Sequence, residues 1–320
     1  MPETTCAFDR ISPARGIAMK AVVLHEYGGP TKLKYEDFDD PKPGPGEVLV
    51  RVQAVSINPV DWKMRSGAAK DRFPVTFPGI LGRDVAGVVR EIGEGVKGFK
   101  EGDRVFALAH ATYAELCVVK ATELALIPEG LDLTVAATVP LVSLTGDQLI
   151  HRGTQAEAGQ TIFLSGALGS VGRIALYCAI ESGIHVIAGV RKKQIAEAIS
   201  LGAIAAIDIS DDDEIAKLGT VDAVADTIGG PIGAKLISKV KPGGNFGSVV
   251  GPPSNAALNP TIHVNAFMAE PNPATVVHYA EAIRDGKLKL PLDRVLPLSD
   301  AAEAHAAAEK GGIGKIVLTA

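Results

Sequence analysis

Cysteine is scarce in this chain and badly placed for pairing. Cys6, Cys117 and Cys178 stand far apart and are odd in number. They form neither a disulfide framework nor a CxxC pair, and they fit a reducing, cytoplasmic setting. Long apolar stretches are missing as well. The apolar runs are strand-sized and broken by glycine or charge, so no bilayer-spanning segment is expected. Residues 1–18 lack the apolar region of a signal peptide, and Met19-Lys20-Ala21-Val22-Val23 reads as the start of folded structure behind a short extension. Positive charge is not in excess. Lys and Arg total 32 against 37 Asp and Glu, a net charge of −5, which argues against nucleic-acid or polybasic membrane binding. What is present is ordinary for a globular protein. At 320 residues and 47% hydrophobic, the chain has material for two domains and a sizeable core.

From Lys20 to about Pro128 the chain shows short β-rich runs cut by Gly and Pro, such as Glu47-Val48-Leu49-Val50-Arg51-Val52. That spacing predicts a small, irregular, mostly antiparallel β domain. From about Ala136 to Met268 strands alternate with helices. Strands are expected at 161–165, 184–190, 204–208, 222–227 and 244–250, and the alternation predicts a parallel doubly wound sheet. After Pro273 come a helix, a short strand and a final helix–strand pair, which are expected to return and complete the first domain. The expected division is an extension over 1–18, a first domain over 19–138 completed by 274–320, and a cofactor domain over 139–273.

The segment richest in chemistry is Ser165-Gly166-Ala167-Leu168-Gly169-Ser170-Val171-Gly172. It follows the apolar run Thr161-Ile162-Phe163-Leu164 and opens into a helical pattern, the context that makes a glycine-rich loop a dinucleotide site. Gly166, Gly169 and Gly172 let the backbone approach a pyrophosphate, and the amides of Ser170 and Val171 face its charge. Ala167 and Ser170 depart from the strict pattern. The second strand ends in Arg191-Lys192-Lys193, where an NAD enzyme usually places a carboxylate for the ribose 2′-hydroxyl. A carboxylate repels a 2′-phosphate, whereas a guanidinium binds it with two hydrogen bonds. The expected cofactor is therefore NADPH.

Three ordered segments then carry a resemblance. They are Ser56-Ile57-Asn58-Pro59-Val60-Asp61-Trp62-Lys63, the stretch Pro78-Gly79-Ile80-Leu81-Gly82-Arg83-Asp84-Val85-Ala86-Gly87 closing at Gly102-Asp103-Arg104-Val105, and Ala136-Ala137-Thr138-Val139-Pro140 through Leu144-Thr145. With the glycine loop they resemble the medium-chain dehydrogenase/reductase superfamily, specifically its zinc-free quinone oxidoreductases, zeta-crystallins and enone/alkenal reductases. The resemblance runs from Met19 to Leu318. It implies an α/β protein: a Rossmann doubly wound parallel sheet plus a GroES-like irregular β-barrel domain. Trp62-Lys63 resembles the enone/alkenal reductases in particular.

Zinc-dependent alcohol dehydrogenases of that superfamily hold catalytic zinc with Cys, His and Cys. The corresponding positions here are Asn58, Arg83 and, less directly, Leu141, and the four-cysteine structural cluster is also missing. No metal is expected, and His110 reads as a surface or hydrogen-bonded histidine. Carbonyl reduction needs an electrophile on the developing alkoxide, whereas hydride addition to a quinone or enone spreads charge over a conjugated system. The resemblance thus implies NADPH-dependent reduction of quinones or of the C=C bond of α,β-unsaturated carbonyls. The alternative is an NADPH-binding redox sensor or assembly factor with little turnover, which Gly82-Arg83-Asp84-Val85 also resembles.

By the same resemblance Lys63, Asn58 and Thr145 are candidate catalytic and cofactor-binding residues. Lys63 can equally be a solvated lysine, Asn58 a loop-fixing amide, and Thr145 a helix-capping hydroxyl. Asp226 lies at a strand's carboxyl end and binds cofactor or caps the next helix. Val249, Val250, Gly314 and Lys315 resemble family cofactor contacts, although a terminal lysine is commonly only solvated. Tyr113 reads as packing. The expected partners are a small quinone or enone and a second copy of the chain, paired through an edge strand near Thr261–Phe267, with no nucleic acid and no membrane.

Overall fold

Apolar runs that do not alternate, such as Ile162-Phe163-Leu164, suit a strand covered on both faces. All three residues are fully buried in the computed structural model, which describes residues 18–312 and 314–320. The expected extension, apart from Ala18, and Cys6 lie outside the described residues. Thr161–Ser165 sits inside a six-stranded parallel sheet. Across the sheet the order is Ala205–Asp208, His185–Val190, Thr161–Ser165, Val221–Asp226, Val240–Ser248, His263–Ala266. Counted along the chain this is 3-2-1-4-5-6, the doubly wound arrangement whose ligand crevice opens where the order reverses. That point lies between the carboxyl ends of Thr161–Ser165 and Val221–Asp226, at the glycine loop.

The second unit is a curved, mostly antiparallel sheet. Its order is Leu292–Pro297, Lys315–Thr319, Glu47–Ser56, Asp84–Ile92, Arg104–Leu108, Leu124–Leu126, and Leu116–Lys120 also pairs with Glu47–Ser56. Register shifts between Glu47–Ser56 and Asp84–Ile92 bend it into the GroES-like barrel. A smaller sheet joins Leu33–Asp39, Ala18–Leu24 and Gly79–Ile80. The last strand pairs with Glu47–Ser56, Val317 opposite Ser56. Chain return therefore sets residue 315 beside residues 57 and 58.

A long core helix carries the chain between the units. Helical segments run almost without interruption from Leu133 to Thr154, 22 residues that by length and composition alone could cross a bilayer, although Gly146, Asp147 and Arg152 break the apolar runs within them. Of its most apolar 18-residue stretch 67% is buried inside the protein, where it works as a core helix. Its length also carries it through the expected division at 138/139. The helix Pro273–Arg284, expected with the first domain, packs both on Leu124–Leu126 of that domain and on this run, where the Tyr279 hydroxyl donates to Asp147 at 2.9 Å.

Beneath the barrel a file of buried polar groups replaces hydrophobic packing. Arg65 Nη1 donates to His305 Nδ1 at 3.3 Å, His305 Nε2 bonds Tyr113 Oη at 3.3 Å, and Tyr113 donates to Asp61 Oδ2 at 2.9 Å. Tyr113 is thus more than packing. Burial beside Arg65 holds His305 down to about 3, so it folds as the neutral ring. A lowered folded value contributes stability that is present above pH 6.5 and lost as pH falls toward the folded value. Asp61 has the opposite sign. Burial raises it to about 7, and its contribution fades as pH rises through that value. Comparing wild type with His305→Gln isolates the histidine. The stability advantage of the wild type is predicted to shrink by on the order of 3 kcal/mol between pH 6.5 and pH 4. Urea unfolding across that range measures it, and a constant difference would show that His305 is not held neutral.

Candidate active site

Between the two units lies a cleft of about 880 Å³, within the size range of small-molecule and cofactor sites. One wall is the glycine loop. Gly166 has φ +66°, so the residue needing left-handed backbone is Gly166 and not position 167, where Ala167 is simply buried. A Cβ on Gly172 would lie 2.1 Å from the Gly166 carbonyl oxygen. Only glycine lets the helix Ser170–Glu181 sit this close to the loop. That helix has Gly169 as N-cap, no side-chain cap and no acidic residue in its first turn. Its first amides therefore lack partners of their own, and Gly169, Ser170, Val171 and Gly172 line the cleft. This cradle fits a pyrophosphate.

Arg191, Lys192 and Lys193 follow the end of His185–Val190 and are exposed. They stand outside the central cleft, and the Arg191 guanidinium reaches across to Gly312, where a Cβ would meet Nη1 at 2.9 Å. None of the three has a carboxylate partner among the described residues. Hydrogen bonds from Ser210 and then the nearby Lys192 lower the pKa of Asp208, and the cluster keeps a net positive charge that fits a 2′-phosphate.

The opposite wall is the helix Pro59–Ser66 with the loop after it. Trp62, Lys63 and Arg72 line the cleft from there. Lys63 is exposed, without an ion-pair partner among the described residues. The positions matched to zinc ligands, Asn58, Arg83 and Leu141, do converge on this cleft. They bring an amide, a guanidinium and an alkyl group. That donor set does not fit a zinc ion. Arg83 donates from Nε to the Ala109 carbonyl at 3.0 Å. Burial lowers its pKa, against the pull of Asp61, Asp84 and Glu123, and it stays a cation at neutral pH. His110, expected at the surface, also lines the cleft; burial and then Arg83 lower its pKa. Among the lining residues Asp71 is the one carboxylate, against Lys63, Arg72, Arg83 and Lys315. The cleft favours anions.

Asn58 is held more tightly than the sequence suggests. Its Nδ2 donates to Asp84 Oδ2 at 2.8 Å, and its Oδ1 accepts from Lys315 Nζ at 2.7 Å. Lys315 is the larger correction. Expected as a cofactor contact or else a solvated terminal lysine, it is 5% exposed and lies 3.7 Å from Asp84 Oδ2. Burial lowers its pKa, while Asp84 and Asp61 raise it. Gly314 lines the cleft beside it, and a Cβ there would meet the Pro291 carbonyl at 2.4 Å.

Other positions divide. Thr145 lines the cleft, but its hydroxyl proton goes to the Leu141 carbonyl at 2.6 Å, so it meets a ligand as an acceptor. Val249 and Val250 line the cleft just beyond the strand that was expected to contain them. Their amides are taken by Asp226 O and Ser248 Oγ, which leaves their carbonyls. Asp226 is not available to a cofactor. It is fully buried, with Oδ1 accepting from Ser165 Oγ and the amides of Ile228 and Gly229, and Oδ2 from Ser248 Oγ at 3.3 Å. It fastens strand ends together. Arg72, Phe73 and Met268 line the cleft without any motif to announce them.

The Asp84–Lys315 pair is predicted to be structural as well as local to the site. Lys315→Met leaves a buried carboxylate uncompensated and should cost about 3–5 kcal/mol, and adding Asp84→Asn should restore part of it. Urea unfolding of the two single variants and the double variant measures the coupling; simple additivity would show that the pair does not interact.

Residues 44–133 match the alcohol dehydrogenase GroES-like domain family, and residues 201–318 match the zinc-binding dehydrogenase family. The chain is 31% identical to a quinone oxidoreductase of Pseudomonas aeruginosa over 314 residues, covering 89% of this chain and 94% of that protein. It is also 31% identical to an NADPH-dependent alkenal/one oxidoreductase of Arabidopsis thaliana, covering 94% of this chain and 79% of that one. Among solved structures, a quinone oxidoreductase from Coxiella burnetii superposes with a TM-score of 0.85 at 28% identity, over 95% of this chain and 99% of that chain. Sequence, architecture and cleft agree: the chain belongs to the medium-chain dehydrogenase/reductase superfamily, as an oxidoreductase related to the quinone and alkenal/one reductases.

Proposed function

We propose that this protein reduces quinones or the C=C bond of α,β-unsaturated carbonyls with NADPH and without zinc. The observation that carries the proposal is the convergence of Asn58, Arg83 and Leu141 on an electropositive cleft. The three groups supply no metal ligand set but do supply a fixed cation. NADPH, when bound, supplies the hydride. The chain's part is to hold and orient. The first-turn amides of Ser170–Glu181 receive the pyrophosphate, and Arg191 with its neighbouring lysines receives the 2′-phosphate. Lys63 and Arg83 face the volume where a conjugated substrate oxygen gains negative charge, and a preformed cation there lowers the barrier without reorganising. Trp62, Phe267 and Met268 line the same volume and displace water. Solvent supplies the final proton.

An NADPH-oxidation screen over quinones and enones, with product analysis, tests the activity. Turnover with at least one class, product matching NADPH consumed, is the expected result. Tight NADPH binding with no turnover across the panel would make the protein a nucleotide-binding sensor instead. Cofactor choice has a separate measurement. Arg191→Ala removes a charge-assisted contact worth about 1.5–3 kcal/mol, so NADPH affinity should fall by about 10- to 100-fold while NADH affinity barely moves. Equal losses for both would remove Arg191 from the 2′-phosphate site.

The free thiols Cys117 and Cys178 suit a reducing cytoplasm. A homodimer fits the outer edge of His263–Ala266, which pairs only with Val240–Ser248 among the described residues; sedimentation velocity reads the mass.

A further inference from the structure

On the side of the parallel sheet's helical cover, away from the residues that line the cleft, two helices bring together a thiol, an imidazole and a carboxylate, and a third adds a tyrosine hydroxyl. Asp147 and His151 are four residues apart on the core helical run, and therefore share a face. Cys178 comes from Ser170–Glu181 and Tyr279 from Pro273–Arg284. We propose that Asp147, His151 and Cys178 bind a zinc ion, with the fourth position open to water. No family match or sequence motif points to these residues.

Distances make the case. His151 Nδ1 lies 3.5 Å from Asp147 Oδ2 and 3.7 Å from Cys178 Sγ, and Cys178 Sγ lies 3.9 Å from Asp147 Oδ1. One donor atom from each of the three falls within 4.8 Å of the others. A tetrahedral zinc with ordinary Zn–S, Zn–N and Zn–O bonds sets its ligand atoms roughly 3.3–3.7 Å apart. The 3.7 Å Nδ1–Sγ separation already matches that geometry, and a turn of the Asp147 carboxylate brings Oδ2 toward both. A thiolate with an imidazole selects zinc over the oxygen-preferring magnesium or calcium.

The surroundings support a built site. Tyr279 donates to Asp147 Oδ1 at 2.9 Å, which orients the carboxylate and leaves Oδ2 toward His151. Cys178 is 3% exposed, and its sulfur has polar neighbours on two sides. Cys117, the other buried thiol described, sits within the apolar barrel core instead. The His151 side chain is 55% exposed, which leaves an entry path and room for water. His151 lies within the π segment Leu149–Thr154, a geometry frequent at functional sites. On binding, the Cys178 thiol proton leaves to solvent. His151 Nδ1, which donates to the Asp147 backbone carbonyl at 3.1 Å, loses its proton to solvent as well and turns its lone pair to the metal, while Nε2 carries the remaining ring proton.

Such an ion would staple the two helices that bound the cleft. Thr145, which lines it, lies two residues before Asp147, and Cys178 is on the helix whose first turn forms the pyrophosphate cradle. These helices already touch closely: a Cβ on Gly146 would lie 2.6 Å from Ile174 Cβ. The role is to fix cleft geometry from behind, apart from the hydride chemistry.

The test uses tag-free full-length protein, stripped with a chelator and titrated with Zn²⁺ and with Co²⁺. The expected result is one equivalent bound with micromolar or tighter affinity. Cobalt should show a thiolate charge-transfer band with tetrahedral d–d bands, and zinc should raise the melting temperature. His151→Ala, at a half-exposed position where folding is safe, and Cys178→Ser should abolish the thiolate band or weaken binding by more than about a hundredfold; Tyr279→Phe should weaken it by about 10- to 100-fold. Cys117→Ala should leave the spectrum unchanged. Absence of stoichiometric binding, a cobalt spectrum without the thiolate band, or binding that survives in both His151→Ala and Cys178→Ser would overturn the proposal.

Discussion

The buried Asp84 carboxylate ties the site together. Oδ2 accepts from Ser56 Oγ at 2.5 Å and Asn58 Nδ2 at 2.8 Å, and Lys315 Nζ stands 3.7 Å away. Oδ1 accepts from the Leu141 amide at 2.7 Å, at the start of the helix that carries Thr145. One charge thus serves the end of a barrel strand, the returning last strand and a helix N-terminus that would otherwise present unpaired amides. A buried carboxylate is costly unless compensated, so all three segments must be in place before the charge is tolerable. This requirement couples the closure of the barrel to the positioning of the cleft.

The same economy explains which functional groups remain for a ligand. Asn58 and Lys315 are consumed in holding Asp84, so they shape the cleft floor more than they reach out from it. Lys63, Arg83, the Thr145 lone pairs and the helix amides after Gly169 are the groups with capacity to spare. They lie on opposite walls, anion-binding cradle on one side and cations on the other.

The glycine loop, the parallel strands and the missing zinc ligands were legible because each depends on local chemistry. Gly166 and Gly172 are required by backbone geometry and close approach, and the strand Thr161–Ser165 announces itself by an apolar run of fixed length. Asp226 misled because a carboxylate at a strand end reads alike whether it faces a ligand or ties neighbouring strands. Lys315 misled for a related reason. A lysine near the chain end is normally solvated, and nothing within twenty residues shows that the last strand inserts beside Ser56. The core run from Leu133 to Thr154 was hidden by Pro140 and Gly146, which look like breaks but are a helix-start proline and a close helix contact.

By itself the sequence determined the class of protein, the glycine-rich strand-to-helix loop and the donor chemistry of Asn58, Arg83 and Leu141, since residue identity alone excludes amide, guanidinium and alkyl groups as a zinc ligand set. Only the tertiary structure decided how Asp84 is compensated, that Asn58 and Lys315 are buried together, and that Asp147, His151 and Cys178 meet. Those facts depend on segments far apart in the chain. Their contacts are set by strand return and helix packing, and neither leaves a periodic or local trace in the residues themselves.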